Sequence, residues 1–204
     1  MKKFPNKSIG TCAQDPVYEQ PLQEFKANFE DQYQYATKEL NPAFPEPKGT
    51  LIATTIFFDS EHAHDTETRR SISGVLVVVG SMPVSWMSKH QGAVATSTYS
   101  AEFCAMCLAT EEAITIHYML RSLGIPVTEP TKMFGDNLGV IQNASMPEAT
   151  LQKKHTAIFF HRVRECVAAR VIAPYQIDGK DNFTYIFTKP MDGTTFKYHA
   201  WDLL

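Results

Sequence analysis

The sequence has no excess of basic residues: 19 Lys and Arg against 22 Asp and Glu give a formal net charge of −3 over 204 residues. A chain-wide electrostatic grip on nucleic acid is therefore excluded, while a local basic patch is not. Cysteine is sparse as well. Cys12, Cys104, Cys107 and Cys166 are too few and too scattered for a disulfide framework. Cys104 and Cys107 form a C-x-x-C, but inside an apolar helical pattern, which reads as core thiols rather than a zinc or redox pair. No apolar run is long enough to span a bilayer, and the opening MKKFPNKSIG lacks the apolar core of a signal peptide. An intracellular, reducing setting with no membrane partner is the expectation. With 44% hydrophobic and 20% charged residues, the composition suits one globular domain with an extension.

Residues 1–49 differ from the rest. They are rich in Gln, Glu and Pro, with few β-branched residues, and end in the stiff linker NPAFPEPKG. A short helix is expected within residues 21–40, where Phe25, Phe29 and Tyr33 recur at four-residue spacing. The body starts at Leu51. Its first run, to Phe58, reads as a strand buried on both faces. Strands at 74–79 and 84–88 complete a meander, with Trp86 assigned to the core. Thr96-Ser97-Thr98 offers an N-cap for a long helix over 99–123. A strand at 131–134, helices at 138–144 and 154–169, a strand at 171–177 and a helix at 182–187 follow. Three antiparallel strands followed by strand–helix crossovers give an α/β fold: a mixed five-stranded sheet flanked by helices.

Three acids fall at comparable places. Asp59 ends the first strand in FFDSEHAHD, Glu102 sits early in the long helix, and Asp136 ends the fourth strand. If the first and fourth strands are parallel neighbours, both aspartates emerge at one carboxyl edge, where such sheets bind ligands. Clustered carboxylates repel one another unless a cation neutralises them. Oxygen ligands without His or Cys select Mg²⁺ or Mn²⁺. His155 and His161, six apart, lack the i, i+4 spacing of a helical metal pair. They read instead as packing or phosphate-contacting groups beside Lys153, Lys154, Arg162 and Arg164, the best basic run in the chain, which is otherwise a solvated helix face. Gln91, Thr96, Ser97 and Thr98, in the loop before the Glu102 helix, are candidates to contact 2′-hydroxyls and phosphates.

The motifs FFDSEHA, TRRSISG, SWMSKHQ, STYSAEF, GDN, KKHTAIFFHRVRE and IFTKP, in this order over residues 56–191, resemble the ribonuclease H domain of copia-type retrotransposon polyproteins, with an algal or diatom-like flavour. The resemblance implies a ribonuclease H-like domain at 50–191, a connection remnant at 1–49 and a tail at 192–204. It implies metal-dependent hydrolysis of the RNA strand of an RNA/DNA hybrid by two Mg²⁺ or Mn²⁺ ions, beside the reverse transcriptase of the same polyprotein and within a cytoplasmic retroelement particle. Asp59 would bridge both ions, with Glu102 and Asp136 on the leaving-group side.

One position departs. The family pattern places a fourth aspartate just before its F-T-K, and here that position is Tyr185. A neutral phenol is a poor Mg²⁺ ligand. Three outcomes are open: slow or Mn²⁺-preferring catalysis, replacement by Asp181 from the same helical face, or a catalytically inactive nucleic-acid-binding or connection module.

Overall fold

The structure, a computed structural model, describes residues 48–63, 65, 67–146, 149 and 157–201. The helix expected within 21–40 lies outside the described residues, as do Lys153, Lys154 and His155. The described chain runs β1 (Thr54–Glu61), β2 (Ile72–Val79), β3 (Met82–His90), α1 (Thr98–Ser122), β4 (Thr131–Gly135), α2 (Leu138–Ser145), α3 (Ala157–Ala168), β5 (Ile172–Gln176), a 3₁₀ turn (Gly179–Asp181), α4 (Tyr185–Thr188) and α5 (Gly193–Trp201). The strands form one five-stranded sheet in the order β3-β2-β1-β4-β5. β1, β2 and β3 are antiparallel, whereas β4 pairs parallel with both β1 and β5. The expected mixed sheet is present.

β1 is the central strand, and its sequence explains why. Ile56, Phe57 and Phe58 are all buried, so the strand must be covered on both faces. Alternation sends Ile56 and Phe58 into one core, with Phe103 and Met106 of α1 and Phe160 and Val163 of α3. Phe57 joins a second, smaller core with Leu76, Phe134, Ile177 and Phe183. There its ring stacks on Phe134 at 5.3 Å between centroids and meets the edge of Phe183 at 5.1 Å. Asp59, two residues on from Phe57, points to the side of this smaller core.

The smaller core is roofed by the segment from Asn182 to Thr188. Asn182 is buried and anchors it: its amide donates to the Phe58 carbonyl at 2.9 Å, and its own oxygen accepts from the Thr184 amide at 3.1 Å. Ser88 of β3 donates to the Phe187 carbonyl at 2.6 Å. Gly74 of β2, the register partner of Asp59, lies directly beneath. A Cβ there would stand 2.8 Å from Thr188 Cγ2 and 3.1 Å from the Thr184 carbonyl oxygen. Glycine is what lets this segment lie on the sheet.

Several expectations change. Trp86 is 63% exposed, because β3 is an edge strand whose residues alternate between partly covered and open positions. The expected helix over 182–187 is a four-residue α4 from Tyr185, since Asn182 spends its side chain on a turn rather than on a helix. The tail from 192 carries α5, capped by Asp192, whose carboxylate accepts from the Thr194 and Thr195 amides. Arg164 is 2% exposed, not part of a solvated basic face. Its guanidinium donates to the Asn143 and Met146 carbonyls at 3.0 and 2.7 Å, closing the end of α2, and lies 4.8 Å over Phe160. Cys107 and Cys166 pack in the main core, and burial pushes their thiols up to about 12 and about 11.

Gly74→Ala should destabilise the fold by about 1–3 kcal/mol through overpacking beneath Thr188. Gly92→Ala, where an added Cβ meets nothing within 4 Å, should stay within about 0.5 kcal/mol of the parent. Urea unfolding of the two variants checks the contrast.

Candidate metal centre

β1 and β4 are in parallel register at Phe57↔Phe134. Continuing that register puts Asp59 level with Asp136 at the carboxyl edge of the sheet. Glu102 reaches the same edge from the second turn of α1, because Ser97 caps that helix by accepting from the Ser100 amide at 3.2 Å. Oxygen atoms of Asp59, Glu102 and Asp136 all lie within 4.8 Å of one another. Asp59 is 0% and Glu102 3% exposed, and Asp136 is half-buried.

Burying three acids this close is costly unless each charge is compensated. The described residues compensate only part. Thr188 Oγ1 donates to Asp59 Oδ2, and the Lys189 ammonium stands 3.7 Å from the same oxygen. Glu102 Oε1 accepts from the Ser60 amide at 3.3 Å. Asp59 Oδ1 and Glu102 Oε2 are buried with no hydrogen-bond partner among the described residues. Two buried acceptor oxygens left open in one acidic cluster fit a hard cation. Burial, and then the neighbouring Asp59 and Asp136, push Glu102 up to about 9. Burial raises Asp59 as well, against the Thr188 hydrogen bond and the Lys189 charge.

Tyr185 lies at the rim. Its hydroxyl donates to Asp136 Oδ2 at 3.3 Å, and the Lys189 ammonium sits 3.7 Å above its ring. A Cβ at Gly179 would lie 2.6 Å from the Tyr185 hydroxyl, so glycine there leaves the phenol its place. Asp181 does not join the cluster. It ends the 3₁₀ turn, and non-helical residues separate it from α4, so the shared helical face does not form.

Gln91 is buried, and its amide donates to Ser73 Oγ and the Ala101 carbonyl, both at 2.9 Å, which fixes the loop before α1. Thr96 and Thr98 are exposed in and after that loop, and Ser97 is half-buried as the cap. Arg162 forms a forked pair with Glu111 of α1, at 2.7 and 3.3 Å, joining α3 to α1. Sequence reasoning gave no role to Thr188, Lys189 or Asn182. For Thr188 and Lys189 the signal was available in the fragment IFTKP, where a hydroxyl ends the Tyr185 helix and an ammonium follows it.

This sheet order, with acids gathered at the carboxyl edge and helices on the faces, is the ribonuclease H fold. The solved structure of LC11-RNase H1 in complex with RNA/DNA hybrid matches it at a TM-score of 0.52 and 12% identity, over 66% of this chain and 93% of that one. Comparison with protein-family models gives no match. Curated relatives are the retrovirus-related Pol polyproteins from transposons RE1 and RE2 of Arabidopsis thaliana, 29% and 28% identical over 153 and 150 residues. A third, from transposon TNT 1-94 of Nicotiana tabacum, is 27% identical over 141 residues. These matches cover 75%, 74% and 69% of this chain but only 10% of each relative, so the chain spans about a tenth of their length. The resemblance read from the motifs is borne out: the homologues are transposon Pol polyproteins and the fold is that of ribonuclease H. Among the described residues no helix is long and apolar enough to cross a membrane.

Glu102 gives a pH test on the metal-free protein. Its carboxyl shifts from 4.5 to about 9 on folding, so the folded state holds a proton that the unfolded chain has released across that window. The stability this contributes is fully present below 4.5 and is lost as pH rises toward 9. With chelator present, the melting temperature should fall over this range, and Glu102→Gln should flatten the fall. Equal slopes for the two proteins would remove Glu102 as the cause.

Proposed function

We propose that the chain is a metal-dependent endoribonuclease that hydrolyses the RNA strand of RNA/DNA hybrids, as the ribonuclease H part of a longer Pol polyprotein that also carries a reverse transcriptase. The observation that carries this reading is the pair of open, buried oxygens, Asp59 Oδ1 and Glu102 Oε2, in one cluster with Asp136. Two divalent cations, Mg²⁺ or Mn²⁺, would supply Lewis acidity and an activated water.

Asp59, Glu102 and Asp136 would hold the ions, with Asp59 as the ligand shared between them and Glu102 and Asp136 as the ligands on the leaving-group side. The catalytic unit is residues 50–191, with 1–49 as an extension. Gln91 keeps the loop before α1 in place, so that Thr96, Ser97 and Thr98 can meet the backbone of the hybrid. Lys153, Lys154, His155 and Arg162 supply the basic approach for phosphates. Burial holds the Tyr185 phenol above its ordinary pKa, so it stays protonated at neutral pH and donates to Asp136 instead of ligating. Slow turnover, or better turnover with Mn²⁺, follows from that missing anionic ligand. The same tyrosine favours the second reading, an inactive copy that still binds nucleic acid.

Cleavage of a labelled hybrid in Mg²⁺ and in Mn²⁺ tests both readings. Asp59→Asn should lower the rate by more than about 100-fold, beyond what losing an outer partner of a metal ligand costs. Tyr185→Asp should raise the Mg²⁺-dependent rate. An unchanged rate in Asp59→Asn would sink the enzyme reading. Hybrid binding without cleavage by either the wild type or Tyr185→Asp would establish the binding module instead.

A further inference from the structure

Lys189 occupies a position that the proposed chemistry does not explain. Its side chain is half-buried, 3.7 Å from Asp59 Oδ2 and 3.7 Å above the Tyr185 ring. A lysine ammonium is charged at neutral pH, and this one stands beside a carboxylate. A permanent positive charge therefore stands on the side of the acid cluster where the fourth carboxylate is missing. Thr188 fills the same Asp59 oxygen with a hydroxyl donor. Asp59 Oδ2 is thus taken from two directions, and Asp59 Oδ1 is left open. Bridging two ions through both oxygens would require Thr188 and Lys189 to give up Oδ2. A second dication on that side would also face a like charge, with no anionic ligand from Tyr185 to offset it.

We infer that Lys189 is a built-in counter-cation: the substrate-free site holds one divalent ion at the open oxygens of Asp59 and Glu102, and the Lys189 ammonium, seated on Tyr185, holds the place of the second. This rests on reading the acid cluster as a metal centre. Lys189 is a positioning residue here, acting through Asp59 Oδ2. A second ion enters only when the negative charge of a nucleic-acid phosphate draws Lys189 away or outweighs it.

The test is Mn²⁺ binding by calorimetry and electron paramagnetic resonance, without substrate, on protein whose fold is checked by circular dichroism. The wild type should bind one Mn²⁺ per chain with the spectrum of an isolated ion, and Asp59→Asn should lose it. Lys189→Met should bind Mn²⁺ on the order of 10-fold more tightly, because a like charge is gone from beside the site. Lys189→Arg, which keeps the charge, should bind like the wild type, a result that loss of packing alone would not produce. The double variant Tyr185→Asp with Lys189→Met should take up a second ion and show a spin-coupled spectrum. Two coupled ions in the wild type, or equal affinity in Lys189→Met and the wild type, would overturn the role of Lys189 while leaving the metal centre standing. No uptake by any of the proteins would remove the metal centre and this inference with it.

Discussion

Carboxylates placed where water cannot reach them set the terms for this molecule. Asp59 and Glu102 are almost completely buried, and Asp136 is beside them. In isolation such a cluster would resist folding, because each charge loses its hydration and meets another of the same sign. Part of that cost is met within the protein: Glu102 keeps a proton up to about 9 when no metal is bound, and Thr188 and Lys189 satisfy one oxygen of Asp59. Two further oxygens have no partner among the described residues, and under the proposed reading a cation would meet them.

The surrounding structure can be understood as the means of holding those groups still. β1 and β4 bring the two aspartates level, and the capped start of α1 delivers Glu102 from the other side. Asn182 ties the roof segment to β1 one residue before Asp59. Small residues make the approaches possible: Gly74 beneath Thr188, Gly135 against the ring of Phe58, and Gly179 beside the Tyr185 hydroxyl. At Gly74 and Gly179 a single Cβ would move a group that touches an acid of the cluster, and at Gly135 it would displace the core ring of Phe58. Rigidity of this kind matters more for a metal centre than for a groove, because ligand oxygens must stay within a fraction of an ångström.

Much of this was legible in the sequence. The run from Ile56 to Phe58 announced a central strand, and the three acids at element ends announced a shared edge. Those signals are local and periodic, so they survive without knowledge of the fold. Trp86 went the other way: apolar and strand-like, it looked like core, yet strand order made β3 an edge. The pairing of Asp181 with Tyr185 failed because Asn182 is recruited by the Phe58 carbonyl, 124 residues away, and interrupts the helix. Thr188 and Lys189 meet Asp59 across an equally long separation. Contacts of that range leave no periodicity, and only the folded arrangement reveals them.

The central claim is that the acid cluster is a cation site and not merely a tolerated cluster of charge. Thermal unfolding at pH 8 with and without Mn²⁺ tests it most directly, since an ion that binds only the folded state must raise the melting temperature in proportion to the logarithm of its concentration. The account predicts a rise that continues with the logarithm of Mn²⁺ concentration in the wild type and none in Asp59→Asn. Superimposable unfolding curves for the wild type with and without the ion would contradict it.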